Sequence, residues 1–553
     1  MSESKSKFLG LAIGGAVVIA AGTVAAYFYL KVPSGDAVTA LGNAKLVPQS
    51  ALMAVYINTE PQNWAKLQQF GTPKAQELIG KGLKDFEQEL KKSQISYEQD
   101  LKPWIGGVMI AVLPPNSTKP AQATPSTTTQ EPNFLVVVGI KDKANALNFA
   151  NKLKSQKDVK VNEIDYKGEK ILESKGSGSP TYTAILNNTH VLLAPDKQAV
   201  EKAIDTYKGG ASFASKEGAN TLLTNGVDLK NSLAQFYFPD YGNTVQQLIA
   251  LNPQSPPLPS QTIKQLKVVK SMVGGIGVDD AGVRLKAVVN LDPQLNSYQY
   301  PTSQAKIVSQ FPTETIALVS GQGINRTWQA FVDQSKDTPE FSQALSQARL
   351  QLQTVNIDLD KDVFGWMDGE FALGAVESNQ GLLATAGFGG ALVFDTSDRK
   401  TAEATFAKLD KLAQEQGSLV AKRNVGGKDI TEWQIPQGGA IVAHGWLDQD
   451  TVFMAMGGPI GDALANRKTS LDSSDTFKAV TGSLQKPNAG YFYLDMNRTA
   501  TLINRFAAAS QPITPEADAV LKSIRGVAVT VNSPDKSTSQ LEMLLALNPK
   551  TDK

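Results

Sequence analysis

Ile95-Ser-Tyr-Glu-Gln-Asp100-Leu-Lys-Pro-Trp104-Ile-Gly-Gly107 and Ile357-Asp-Leu-Asp-Lys-Asp362-Val-Phe-Gly-Trp366-Met-Asp-Gly369 coincide at Ile, Asp, Trp and Gly without a gap. Self-similarity at a fixed distance has to be read before any other pattern, because it decides how many folding units the chain contains. Working outward from this pair, further landmarks recur. Pro48 leads to Trp64 across ALMAVYI as Pro312 leads to Trp328 across TIALVS, and Phe149-Ala150 in ALNFANKL answers Phe406-Ala407 in AEATFAKL. Phe236-Tyr237-Phe238 with Asp240 answers Tyr491-Phe492-Tyr493 with Asp495, and Asn290-Leu-Asp-Pro293 answers Ala546-Leu-Asn-Pro549. In chain order the offsets run 264, 262, 257, 255 and 256, a slow drift of the kind that loop insertions and deletions produce. Four of the six tryptophans fall in two of these matched pairs, so the expectation is a tandem duplication.

Within one half, strand-like and helix-like stretches alternate. Ile79, Leu83, Phe86 and Leu90 keep the spacing of about 3.6 residues that lines one face of a helix. ALMAVYI, GVMIAVL and FLVVVGI read as strands, and TYTAIL and HVLLA as two more meeting at Asn187-Asn188. Short turns between strands favour antiparallel pairing, with helices expected over one sheet face. The predicted fold class is α+β: a tandem duplication of an antiparallel-sheet-plus-helices unit, preceded by one transmembrane helix. The expected segments are a tail over 1–7, an anchor over 8–30, a tether over 31–45, repeats over 46–293 and 310–549, and a linker over 294–309.

Phe8 to Leu30 is a run of 23 residues without a charge, which as a helix just spans a hydrocarbon core of roughly 30 Å. Lys5 and Lys7 precede it and Lys31 follows, which places the N-terminus inside, and Tyr27, Phe28 and Tyr29 sit where aromatic rings prefer the headgroup level. Val24-Ala25-Ala26 offers a peptidase site in the competing signal-peptide reading; either way the remainder is exported. Gly10 and Gly14 form a GxxxG that suits a homodimer through the membrane helix.

Composition narrows the chemistry. With 54 basic and 53 acidic side chains, no charge excess draws a nucleic acid. The absence of cysteine removes thiol catalysis, thiolate metal sites and disulfides, and fits an oxidising compartment. His190 and His444 are the only imidazoles, too few for an ordinary zinc site without two added carboxylates. Asp358, Asp360 and Asp362 alternate as at the start of a calcium loop, but Val363 stands where that loop needs Gly, and Glu370 comes one residue late. The competing reading makes Asp100 and Asp362 caps of a short turn that carries Trp104 and Trp366 into the core. Val273-Gly-Gly-Ile-Gly277, Gly387-Phe-Gly389-Gly390 and Gly426-Gly427-Lys428 lack the strand, loop and helix order of a phosphate cradle. No GxSxG elbow is present, and no cofactor or catalytic residue is assigned. Pro114 to Pro132 and Pro253 to Gln261 read as mobile loops found in the first half alone.

The anchor, the exported body and the repeated D-L/V-x-x-W-x-x-G at Asp100 to Gly107 and Asp362 to Gly369 resemble a cyanobacterial membrane-anchored family carrying a domain of unknown function. The resemblance implies a photosynthetic bacterium and a plasma or thylakoid membrane, with the bulk of the chain in periplasm or lumen. It brings no functional residue with it. The expected role is an extracytoplasmic module that binds or scaffolds a protein partner; a carrier of lipid or another apolar ligand and a hydrolase of unrecognised chemistry are the alternatives.

Overall fold

The computed structural model describes residues 38–550, apart from 93, 115–132, 155–159, 176–179, 217–218, 220–222, 225, 251–257, 297, 337, 437 and 509–511. The expected anchor over 8–30 and most of both Pro-rich loops lie outside the described residues. Among the described residues no helix is long and apolar enough to cross a membrane. The chain divides into two compact units. One comprises Met1–Gln69, Gln76–Asp279 and Leu285–Asp292; the other comprises Phe70–Ala75, Asp280–Arg284 and Pro293–Lys553.

The first unit contains β1 (Met53–Ile57), β2 (Ile105–Leu113), β3 (Asn133–Ile140), β4 (Lys160–Tyr166), β5 (Glu169–Lys175), β6 (Thr181–Leu186), β7 (His190–Ala194), β8 (Ser232–Phe238), β9 (Val269–Val278) and most of β10 (Gly282–Leu291). Its strands run in the order β4, β5, β6, β7, β3, β2, β1, β8, β9, with β10 beside β9, and the neighbours from β4 to β9 are all antiparallel. The helices are α1 (Ala40–Ala44), α2 (Pro61–Ala65), α3 (Pro73–Lys92), α4 (Lys143–Lys154), α5 (Lys197–Tyr207), α6 (Tyr241–Ala250) and α7 (Ser260–Val268).

The second unit contains α8 (Ile324–Ser335), α9 (Pro339–Thr354), α10 (Arg399–Glu415), α11 (Gly458–Ala465), α12 (Asp475–Thr481), α13 (Met496–Ala508) and α14 (Pro515–Ser523). Its strands are β11 (Thr315–Gln322), β12 (Glu370–Glu377), β13 (Phe388–Asp395), β14 (Leu419–Val425), β15 (Lys428–Ile435), β16 (Gly439–Trp446), β17 (Thr451–Met456), β18 (Tyr491–Asp495), β19 (Ile524–Asn532) and β20 (Thr538–Leu547). They follow the order β14, β15, β16, β17, β13, β12, β11, β18, β19, β20, antiparallel throughout. This is the order of the first unit with every index raised by ten. The α+β class with antiparallel pairing therefore holds.

Local chemistry sets the hairpins. Lys167 and Gly168 both have positive φ between Tyr166 and its partner Glu169, the backbone of a two-residue turn whose twist matches the strands it joins. Gly426 and Gly427 do the same between Val425 and Lys428, so this glycine pair is hairpin geometry. Asn187 and Asn188 take the left-handed conformation that asparagine tolerates, at the predicted meeting of β6 and β7.

One expectation needs correcting: helices pack on both faces of each sheet. In the first unit Met109, Leu135 and Val137 face Val200, Ala203 and Ile204 of α5, while Val138 and Ile140 face Phe149 and Ala150 of α4. In the second unit Leu318, Val393 and Phe453 pack with Ile460 and Leu464 of α11, while Phe394 and Val452 pack with Ala402 and Phe406 of α10. Successive strand residues point to opposite faces, so a run such as FLVVVGI is apolar on both. Each face therefore gains by being covered.

Candidate binding surfaces

The two sequence blocks that opened the reading fold into the same local device. Tyr97–Leu101 and Leu359–Val363 are single π-helical turns. In the first, Asp100 Oδ2 accepts the Ser96 backbone N–H at 2.8 Å, and the Asp100 carbonyl accepts the Trp104 indole N–H at 2.7 Å. In the second, Asp362 Oδ2 accepts the Asp358 N–H at 2.8 Å, and its carbonyl accepts the Trp366 indole at 2.8 Å. A lysine from the following helix completes each: Lys152 reaches Asp100 at 2.5 Å, and Lys408 reaches Asp362 at 2.6 Å. Both indoles are buried, Trp104 stacked on Phe149 at 5.7 Å and Trp366 set edge-on to Phe394 at 5.6 Å. The aspartate thus fixes the turn and the turn delivers the tryptophan to the core.

The Asp358 to Asp362 run spends its three carboxylates in three directions. Asp358 caps the turn, with Oδ1 accepting the Asp360 and Lys361 N–H groups at 3.0 Å. Asp360 is gripped by Arg349 through Nε and Nη2, each at 2.8 Å, and accepts the Trp328 indole at 2.8 Å. The Arg349 guanidinium, helped by that indole, holds the Asp360 carboxyl below its usual range. For Asp362 burial pushes the carboxyl up, but the Asp358 N–H and the Lys408 ammonium outweigh it and the net shift is downward. Protein donors hold both oxygens of Asp360 and one oxygen each of Asp358 and Asp362, and among the described residues no group of three His, Asp or Glu is arranged to hold a metal. Arg349 and Lys408 escaped the sequence reading because nothing local ties them to this run.

The histidines sit apart, His190 in the first unit and His444 in the second. His190 is buried, its Nδ1 is 2.9 Å from Thr189 Oγ1, and burial lowers its pKa to about 4. His444 Nε2 lies 2.7 Å from Asp410 Oδ1, which also accepts the Trp433 indole at 2.7 Å. Burial raises the Asp410 carboxyl, yet these two hydrogen bonds bring it below the ordinary value. His444 stacks on Phe406 at 4.6 Å. Among the described residues no serine hydroxyl is hydrogen-bonded to either imidazole, so the arrangement reads as a tie between α10 and β16.

Two apolar surfaces of the second unit are open. The first is on the hairpin of α8 and α9. Trp328 stacks on Phe364 at 4.0 Å beside a groove of about 210 Å³ rimmed by Asn325, Gln329, Asp333 and Asp360. Around it Phe331, which meets Trp328 at 5.6 Å and Phe341 at 6.4 Å, and Phe341 are 44% and 52% exposed. The corresponding Trp64 of the first unit instead donates to the Asn58 carbonyl at 2.7 Å.

The second is the sheet face opposite the main core. Strand register puts Met543, Val529, Phe492, Val319, Leu373, Leu392 and Met454 side by side in one row across seven strands. The centre of the row is open, with Phe492, Val319 and Leu373 at 39%, 42% and 49% exposure. On the same strand Tyr491 and Tyr493 are buried in the core, while Phe492 faces out.

Fold and surfaces together define an α+β protein of two antiparallel-sheet units that carries exposed aromatic and aliphatic contact surfaces. The chain belongs to the family described as "Protein of unknown function (DUF3352)", whose model matches residues 12–547. No curated protein matches it. Among solved structures, crystal forms IV and III of TP0453 each share 10% identity and cover 45% of this chain and 80% and 79% of their own. The TM-score is 0.26 for both, too low for the likeness to bear on fold or role.

Proposed function

We propose that this chain is a membrane-tethered binding protein that docks a protein partner through the aromatic hairpin of its second unit. Phe8–Leu30 is the membrane anchor, with the N-terminus cytoplasmic and the two units in the periplasm or lumen of a photosynthetic bacterium. The equal strand orders and the paired Asp–Trp turns support descent of the units from one duplicated module, which leaves their differences to carry the specific role.

The observation that carries the reading is the exposed Phe331 and Phe341 pair beside the Trp328–Phe364 stack. Protein interfaces concentrate binding energy in aromatic anchors enclosed by a polar rim, and Asn325, Gln329 and Asp333 supply such a rim here. Asp360 braces the surface by tying α8 and α9 to one turn, so little ordering cost remains for binding.

The test is a photo-crosslinker at Phe341 in intact membranes. A discrete protein adduct is expected, and it should disappear when Phe331 is replaced by Ser. Recovery of lipid adducts alone, or a protein adduct indifferent to Phe331→Ser, would overturn the reading.

A further inference from the structure

The open sheet face differs in chemistry from the aromatic hairpin. Along β11, β12 and β18 the solvent-facing positions of an antiparallel sheet should be polar, since alternate residues already fill the core. Here they are Ala317 and Val319, Leu373 and Ala375, and Phe492 and Leu494, with Gly390 and Met456 continuing the surface onto β13 and β17. None of these side chains offers a hydrogen-bond donor or carries a charge. The strands beneath are hydrogen-bonded on both sides, so the floor presents no sheet edge to which a peptide strand could add. A hydrocarbon chain asks for no such partner.

One end of the floor is not neutral. Gly387 precedes Phe388 at the start of β13, and a methyl group placed on it would lie 2.6 Å from Arg505 Nη1. That guanidinium comes from α13 and is held by two uncharged acceptors, Asn379 Oδ1 at 2.7 Å and the Ala384 carbonyl. Neighbouring Arg498 is paired with Glu377, whereas Arg505 has no carboxylate partner among the described residues. From β17 to β18 the floor crosses four inter-strand spacings, about 19 Å, the reach of a long acyl chain.

The geometry points to an anionic membrane lipid as the occupant of this face. Its acyl chain lies over Leu373, Val319 and Phe492, and its phosphate head group is met by Arg505. This surface is separate from the aromatic hairpin, so the lipid and protein readings stand or fall independently.

The natural absence of cysteine supplies a clean test. Full chains carrying Leu373→Cys, or Lys411→Cys on exposed α10 as control, are labelled with an environment-sensitive fluorophore. They are then reconstituted in vesicles containing phosphatidylglycerol or phosphatidylcholine with brominated acyl chains. At Leu373 the expected result is quenching by brominated phosphatidylglycerol about tenfold stronger than by brominated phosphatidylcholine, falling to parity in Arg505→Gln. At Lys411 little quenching is expected. Absence of quenching at Leu373, quenching blind to head group and to Arg505, or equal quenching at both positions would overturn the inference. A shielded but unquenched Leu373 probe that crosslinks to the same probe in another molecule would assign the face to a second copy instead.

Discussion

Replacing Asp362 by Asn tests whether the Asp358 to Asp362 run is framework or metal site. The amide keeps the shape of the side chain, and the backbone carbonyl that accepts the Trp366 indole and the Thr405 hydroxyl is untouched. What goes is the charge. A charged acceptor for the Asp358 N–H becomes a neutral one, a loss of about 1 kcal/mol. Lys408 loses a partner in a pair whose side chains are 34% and 20% exposed, a further loss of roughly 0.5–1 kcal/mol after solvent screening. The sum is about 1.5–2 kcal/mol, and for a unit of this size it lowers Tm by about 5 °C. The pH dependence follows from linkage. The folded-state pKa of Asp362 is depressed, so its contribution is present above the unfolded value of 3.8 and is lost as pH falls through the lower folded value. Wild type and variant should therefore converge in strongly acidic solution. Calorimetry of the full chain at several pH values, with and without millimolar calcium, is the assay. An unchanged Tm at neutral pH would refute the account of the turn, and a calcium-induced rise in wild-type Tm that the variant lacks would restore the metal reading.

Two further groups give pH predictions of opposite sign. His190 has a folded pKa of about 4 against 6.5 when unfolded, so its contribution is complete above pH 6.5 and is lost as pH falls toward 4, by about 3 kcal/mol in all. An NMR titration of the His190 ring should show it neutral at pH 5.5, and protonation there would contradict its burial. Burial raises the Asp395 carboxyl to about 6, with Thr451 opposing and Glu370, Asp450 and Asp448 adding to the rise. The folded state then holds the proton more tightly, so stability declines as pH rises from 3.8 to about 6. Because the group is only partly buried, solvent screening leaves about 1 kcal/mol. Asp395→Asn should remove this decline in denaturant titrations, and an identical slope in the variant would count against the assignment.

The candidate surfaces were only partly legible. The Asp358 to Asp362 run drew notice for its alternating aspartates, and the structure gives Asp360 a use of its own, since it gains Arg349 and Trp328. Neither Arg349 nor Lys408 has a local signal, because the ion pairs are made by helices that come together only on folding. Phe492 was harder still. Its neighbours in sequence are core tyrosines, and its exposure depends on where α10 and α13 stop covering the sheet.

By itself the sequence determined the α+β class, the turn at Asn187-Asn188, and the pairing of Asp100 with Trp104 and of Asp362 with Trp366. These rest on interactions within a few residues, where backbone preference and side-chain reach leave few options. Only the tertiary structure decided that both sheet faces are covered by helices, that the three aspartates point to three different partners, and that one apolar row remains open. An apolar residue carries the same signal whether a helix covers it or not, and the difference is made by the packing of elements distant in the chain.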